Sequence, residues 1–336
     1  MLELFTATDN FFIAFYYQGY SLMLSPGGED SNAVRAAWLH YAGGLTQAEV
    51  ARRLGLSNLK AHRLITKANQ EGLVKIFIDG DVTECFELEQ QLSQKYHLDF
   101  CEVAPELETD EDLPLRTLGM AGARFLMREI ARPENLLIGI GHGRTLGACV
   151  DYLPAKSTTN TEFVSLLGGL IQNFSVNPHD VMHRLAHQTG ATSYVMPVPF
   201  FADSEKDRAV LLGQRGVKHV YKLIQQTQLK FVGIGTSRPE SSMIGTGMIH
   251  KKELTKVARA GGVGELLGHF FTADGVPMQT ELSSRTTSPP LSKLKGDRIV
   301  AVAGGVHKDL AIRSVLESRL ISGLITDERT ARALAC

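Results

Sequence analysis

Along residues 44–74 the apolar positions fall on two short helical faces, Val50 and Leu54 and then Leu56, Leu59, Leu64 and Ile65, with Gly55 between them. The spacing predicts one helix ending at Leu54 and a second starting near Asn58. Thr46 is placed to cap the first helix, with Glu49 three residues on completing a capping box, and Ser57 is placed to cap the second. The second helix then carries Asn58, Lys60, His62, Arg63 and Lys67 outward and turns Leu59, Ala61, Leu64 and Ile65 toward a core. Ahead of the pair, residues 30–43 set Val34, Ala37, Trp38 and Tyr41 at helical spacing, which assigns the single tryptophan to the same core. Residues 73–78 read as a short strand closing this module.

Beyond it, Leu88, Leu92 and Tyr96 recur every four residues and predict a helix over 84–97, while 106–112 reads as a solvated loop. From Leu115 onward helical stretches alternate with short apolar runs, the rhythm of a parallel sheet covered by helices. The strand candidates are 136–140, 163–167, 193–197, 231–234, 299–303 and 320–325. The fold class is therefore α/β, with a small helical module in front. The boundaries follow as an arm over 1–30, a helix-turn-helix module over 31–78, an acidic linker with its helix over 79–114, and an α/β domain over 115–336.

Charge sharpens this division. Residues 34–75 hold seven Lys or Arg (Arg35, Arg52, Arg53, Lys60, Arg63, Lys67 and Lys75) against Glu49 and Glu71, although the whole chain carries a formal charge of only −1. A basic module on a neutral protein is the footprint of a nucleic-acid reader. The rival reading is an ordinary helical hairpin with a solvated basic face. Residues 79–115 reverse the balance, with twelve acids against Lys95 alone, which keeps them off DNA.

At 336 residues, with 43% hydrophobic and 21% charged positions, the chain has room for two or three cored domains. Its four cysteines lack CxxC or zinc-like spacing, so neither a disulfide framework nor a cysteine metal site is indicated, and a reducing cytoplasm fits. The apolar run 11–17 has no Lys or Arg before it and is far too short to span a bilayer, so it is expected to be neither a secretory signal nor a membrane span. It belongs to an arm outside the fold, or to an over-called start whose natural initiator is Met23.

Open parallel sheets bind ligands beyond the carboxyl ends of their strands, where helix N-termini offer free N–H groups. Four strand-end segments qualify: GIGHGRTLG (139–147), GIGTS (233–237), AGGVHK (303–308) and TDERT (326–330). Gly141 and Gly143 would let backbone approach a ligand oxygen, Arg144 or Thr145 would supply direct hydrogen bonds, and Lys308 a point charge for an anion. None is a dinucleotide fingerprint or a phosphate loop, and each alone reads equally as a tight turn. Their repetition at successive strand ends favours a ligand. His179, His183 and His187 line up four residues apart behind Pro178, but no carboxylate motif or second ligand cluster accompanies them, so they read as a partly exposed helix stripe. Asp180 and Arg184 then read as surface or interface residues. Neither metal nor cofactor is expected.

In order along the chain, LTQAEVARRLGLS with RLI, EGLVKIFI, LEQQL, GIGHGRTL, GIGT, GGVGELLGHFF, AGGVHK and LITDERTA resemble the SorC (SorC/DeoR-type) family of sugar-responsive transcription regulators from about Val34 to Leu334. The resemblance implies a sugar-binding domain similar to glucosamine-6-phosphate deaminase and ribose-5-phosphate isomerase, and oligomers, commonly tetramers, on double-stranded operator DNA. Residues 177–204 are most similar to regulators of polyol use, the erythritol regulators among them. Glu265 stands where the family often has Asp and His269 where Arg is common; Ala61 and His62 replace a usual Val and Ser. The resemblance implies a non-enzymatic repressor of a carbohydrate or polyol operon, controlled by a sugar, polyol or sugar phosphate. Asn58, Lys60, His62 and Arg63 would read bases or phosphates, with Gln47, Ser57 and Lys67 positioning the helix. Gly141, His142, Gly143, Arg144, Thr145, Gly235, Thr236, Glu265, Lys308 and Asp327 would surround the effector, and the 84–97 helix would link the two parts. Two rivals stand beside this: a sugar-phosphate isomerase or deaminase with Glu265, His142 or Asp327 as base, for which no complete acid–base set is visible, and an oligomeric interaction protein without a ligand.

Overall fold

The computed structural model describes residues 11–14, 29–71, 73–78, 83–106, 114–154, 160–170, 181–239 and 241–336. The chain forms two compact units, Met1–Gly80 and Asp81–Cys336. In the first, strand β1 (Phe11–Ala14) pairs antiparallel with β2 (Lys75–Ile78), Phe11 opposite Ile78. The segment expected as an arm thus supplies a strand; Met23 and its start-site reading lie outside the described residues.

Helix α1 (Glu29–Ala37) runs into a π-helical turn at Trp38–Ala42 and is followed by α2 (Gln47–Leu54) and α3 (Asn58–Gln70). Their shared core is Ala33, Ala36, Ala37, Leu39, Val50, Ala51, Ala61, Leu64, Ile65, Ala68 and Val74. Two expectations are corrected here. Trp38 is 51% exposed and Leu59 is 59% exposed, because the π-helical turn leaves Leu39 to fill the core and Ala61, Leu64, Ile65 and Ala68 complete the buried stripe of α3.

The second unit contains α4 (Thr83–Tyr96), β3 (Phe100–Ala104), α5 (Leu115–Ile130), β4 (Leu136–Ile140), α6 (Arg144–Tyr152), β5 (Thr161–Leu170), α7 (Val181–Thr189) and β6 (Ser193–Pro199). Then come α8 (Glu205–Gly213), α9 (Arg215–Gln225), β7 (Leu229–Gly233), β8 (Gly235–Thr236), α10 (Ser242–Gly245), α11 (Lys251–Arg259), β9 (Gly262–Leu266), β10 (His269–Thr272) and β11 (Pro277–Met278). The chain ends with α12 (Glu281–Arg285), α13 (Leu291–Leu294), β12 (Ile299–Val302), α14 (Asp309–Glu317), β13 (Gly323–Asp327) and α15 (Glu328–Ala335).

Seven strands form one parallel sheet in the order β3-β13-β12-β7-β4-β5-β6. Helices cover both faces, so consecutive strand residues are apolar on alternate sides. Ile138, Ile140, Phe231, Val300, Val302 and Ile325 pack with α5, α6 and α7. Leu137, Val232, Ile299, Ala301 and Leu324 pack with α4, α9, α14 and α15. From β4 the chain winds outward through β5 and β6; from β7 it winds the other way through β12 and β13. The strand order therefore reverses between β4 and β7, where such sheets open a crevice for ligands. A second, antiparallel sheet, β11-β10-β9-β8, begins two residues after β7.

The acidic segment expected as a linker contributes structure to this unit. Leu88, Leu92 and Tyr96 of α4 are buried, and Lys95 Nζ and the Tyr96 hydroxyl both donate to the Leu334 carbonyl of α15 (2.9 and 3.1 Å). Strand β3, absent from the expected set, is the sheet edge beside β13. Its Glu102 is buried and accepts from Arg124 at 2.6 Å and Arg128 at 2.7 Å, and Glu89 accepts from the Val103 N–H at 2.8 Å. Of the expected loop 106–112 only Glu106 is described, and its N–H donates to Glu328. The other six strands lie within a few residues of expectation, the largest shift being 320–325 to Gly323–Asp327.

Candidate effector site and nucleic-acid interface

In the first unit the caps fix the geometry. Thr46 Oγ1 accepts from the Glu49 N–H at 3.4 Å while Glu49 Oε2 accepts from the Thr46 N–H at 2.8 Å, and this contact with Thr46 holds the Glu49 carboxyl below its ordinary range. Gly55 ends α2 at φ +66°, a left-handed conformation that favours glycine, and Ser57 Oγ accepts from the Lys60 N–H at 3.3 Å. Gln47 Oε1 lies 3.2 Å from His62 Nδ1, joining the start of α2 to α3. Gln47, Ser57, Asn58, Lys60, His62 and Arg63 are all exposed; Lys67 is half-buried and lies 3.7 Å from Glu71. The seven expected residues thus share the solvent side of α2 and α3.

In the second unit, a partly enclosed cavity of about 90 Å³ opens at the β4/β7 reversal. His142, Gly143, Arg144, Thr145, Gly235, Thr236, Glu265 and Lys308 line it. Strand β4 delivers the first four through a turn in which Gly143 has φ +132°, and no side chain caps α6. The first-turn N–H groups of Arg144 and Thr145 are therefore left for a ligand. Lys308 enters from the loop after β12, and its Nζ donates to the Ile234 carbonyl at 2.8 Å. Burial and the nearby Arg144 charge pull its pKa down to about 8 against the attraction of Glu265. Glu265, on β9, is buried; burial pushes its carboxyl up to about 7, opposed by the Gly268 N–H from which it accepts at 2.5 Å and by Lys308. Arg144, Lys308 and Glu265 give the cavity two cationic side chains facing one carboxyl.

Two expected residues lie outside the lining. Gly141 is a packing glycine: its N–H donates to the Phe231 carbonyl at 2.8 Å, and a Cβ there would stand 3.2 Å from the Val232 backbone. Asp327 caps α15 by accepting from the Thr330 N–H at 2.9 Å, and it holds the Gly305 N–H at 2.9 Å. It thus anchors the loop that carries Lys308 instead of facing the cavity. His269 is also away from it, 2.8 Å from the Pro289 carbonyl, with burial lowering its pKa. Pattern reading missed Leu167, inside β5, and Phe200, just after β6, together with Ser241, Met243, Thr246, Met248 and Leu267. Leu167 closes the expected strand 163–167 and Phe200 stands three residues past the expected strand 193–197, so both were open to the strand-end rule; the stretch 241–248 has no periodicity to mark it.

His183 and His187 are exposed on α7, and Arg184 pairs with Asp151; His179 and Asp180 lie outside the described residues. Among the described residues no three His, Cys, Asp or Glu side chains are grouped to hold a metal, and no helix is long and apolar enough to cross a membrane.

Comparison with known proteins agrees with this architecture. The family described as "Putative sugar-binding domain" matches residues 80–335. The chain is 54% identical to the erythritol catabolism regulatory protein EryD of Brucella abortus, over 91% of this chain and 96% of that protein. It is 33% identical to the transcriptional regulator LsrR of Klebsiella pneumoniae, over 91% and 93%. The crystal structure of the full-length sorbitol operon regulator SorC from Klebsiella pneumoniae superposes with a TM-score of 0.66 at 26% identity, covering 92% of this chain and 99% of that one. The chain belongs to the SorC-type family of sugar-binding transcriptional regulators, and it is a regulator, not an enzyme.

Proposed function

We propose that this chain represses a polyol catabolic operon in the bacterial cytoplasm. Helix α3 reads double-stranded operator DNA as the second helix of a helix-turn-helix, and the cavity at the β4/β7 reversal takes a short polyol, free or phosphorylated. One observation carries the effector half: Arg144, Lys308 and the uncapped start of α6 converge with Glu265 on a single small cavity. One water needs about 10–15 Å³ on the same measure, so the cavity accepts roughly six to nine such groups. A four-carbon polyol has eight heavy atoms, and every one of its carbons carries a hydroxyl for donors and acceptors to hold. The relative named for erythritol catabolism supports the same size class.

The DNA half rests on exposed Asn58, Lys60, His62 and Arg63 on one helix of a module rich in Lys and Arg. Two-fold related modules in an oligomer, a tetramer in our reading, would engage two half-sites. Control follows by linkage: the effector moves the equilibrium only as far as its affinity differs between DNA-competent and DNA-incompetent states. Within the second unit a continuous set of bonds runs from the Lys308 loop through Asp327 to α15 and on to α4, the first element after the DNA module in the chain. We assign α4 the role of link.

The test is fluorescence anisotropy on labelled DNA from upstream of the chain's own gene, at fixed salt, with erythritol, erythritol phosphates and longer sugar phosphates added in turn. Tight, sequence-dependent binding released by a four-carbon compound is the expected result. Binding no tighter than to a scrambled duplex would remove the DNA half; specific binding unmoved by all four-carbon compounds would remove the effector half.

A further inference from the structure

Leu59 is the one large apolar side chain that α3 turns outward. It is 59% exposed, whereas Ala61, Leu64, Ile65 and Ala68 are buried. Ala68 follows it by nine residues, about two and a half helical turns, so Leu59 stands on the pole opposite the packed stripe. Single exposed leucines are common and by themselves mean little. This one is flanked by Asn58, His62 and Arg63, exposed side chains that donate hydrogen bonds, and it sits at the second residue of the helix behind a Ser57 cap. Helix N-terminal residues are the ones that reach base edges when such a helix enters a major groove. The only apolar feature a base pair presents there is the thymine 5-methyl group.

Resting on the DNA-reading function proposed above, we infer that Leu59 reads a thymine methyl group in the operator half-site and so selects one A·T pair by apolar contact. The surrounding donors bind phosphates and base acceptors of either orientation; the leucine adds discrimination against any pair lacking a methyl at that place. The charge of the module, seven basic residues against two acids over 34–75, favours DNA over a protein surface as the occupant.

Deoxyuridine differs from thymidine only by this methyl group and keeps the base pairing. Footprinting on DNA upstream of the gene locates the operator, and each thymine of a half-site is then replaced singly by deoxyuridine. The full-length protein and its Leu59→Ala variant are titrated against every duplex at one salt concentration. The expected result is one thymine whose replacement weakens wild-type binding about fourfold, the equivalent of one buried methyl group, and leaves Leu59→Ala unaffected. The variant should bind scrambled DNA as wild type does and show the same thermal melt, since Leu59 lies outside the buried stripe of α3. A methyl penalty of equal size in both proteins, or none at any position, overturns the assignment of Leu59 while operator preference over scrambled DNA upholds the reader. Loss of that preference in the wild type removes both.

Discussion

Gly235 and Glu265 face each other across β8 and β9, and the space that a side chain at 235 would occupy already holds the Glu265 carboxylate, 2.1 Å from the place of a Cβ. The glycine is what allows the carboxylate to lie flat against the backbone at the cavity wall. Gly235→Ala must therefore displace Glu265, with an overpacking cost of about 1–3 kcal/mol. The expected outcome is a lowered melting temperature and a weakened effector response with operator affinity retained. A variant that melts and responds like wild type would show that the carboxylate moves freely.

The Glu265–Lys308 pair gives the protein a defined pH response. Glu265 rises from 4.5 to about 7 on folding, so between those values the folded state binds more protons and stability falls as pH increases. Lys308 drops from 10.5 to about 8, so between 8 and 10.5 the unfolded state binds more protons and stability climbs again with pH. The pair's contribution is lowest between about 7 and 8. Melting curves of wild type and Glu265→Gln across pH 4.5 to 7 should diverge, the wild type losing stability relative to the variant as pH rises. Parallel curves would mean that the Glu265 carboxyl keeps its ordinary pKa on folding.

The same residues show what the sequence makes legible. Arg144 and Lys308 were visible because a parallel strand that ends in glycines and opens a helix forces its next polar residue onto the carboxyl rim. Leu59 and Trp38 were misplaced because an apolar residue at a helical spacing does not declare which side of the stripe it falls on; Ala61, with a far smaller side chain, is the one that packs. Strand β3 was hidden by counting charge: Glu102 and Glu89 lie in an acidic run, yet they are held by arginines and a backbone N–H, not by water. Strands β8 and β11 have two residues each, too few for alternation to show.

Asp327 separates anchoring from ligand contact. Its two oxygens take the Thr330 N–H and hydroxyl and the Gly305 N–H, and a Cβ on Gly304 would fall almost on the same carboxylate. Asp327→Ala should cost about 2 kcal/mol through the lost cap and the weakened loop anchor, and Asp327→Asn, which still caps, less than half of that. Chemical denaturation measures both. Unchanged stability together with abolished effector binding would identify the carboxylate as a ligand group instead.

Arg63 and Lys308 lie in different units and should fail in different ways. Arg63 is exposed on α3, so Arg63→Ala should weaken operator binding, and if its partner is a phosphate the slope of log affinity against log salt should become shallower by about one. The effector would still bind it, as seen by a thermal shift. Lys308 is half-buried at the cavity with its Nζ 2.8 Å from the Ile234 carbonyl, and Lys308→Ala should keep operator affinity while raising the effector concentration needed for release. The loss should be larger for phosphorylated than for neutral polyols, because the point charge acts on an anion. Lys308→Met, which keeps most of the side-chain volume, should reproduce the Ala result if charge is what matters. A Met variant with wild-type response to a phosphorylated polyol would assign Lys308 to packing and move the anion role to Arg144 and the start of α6.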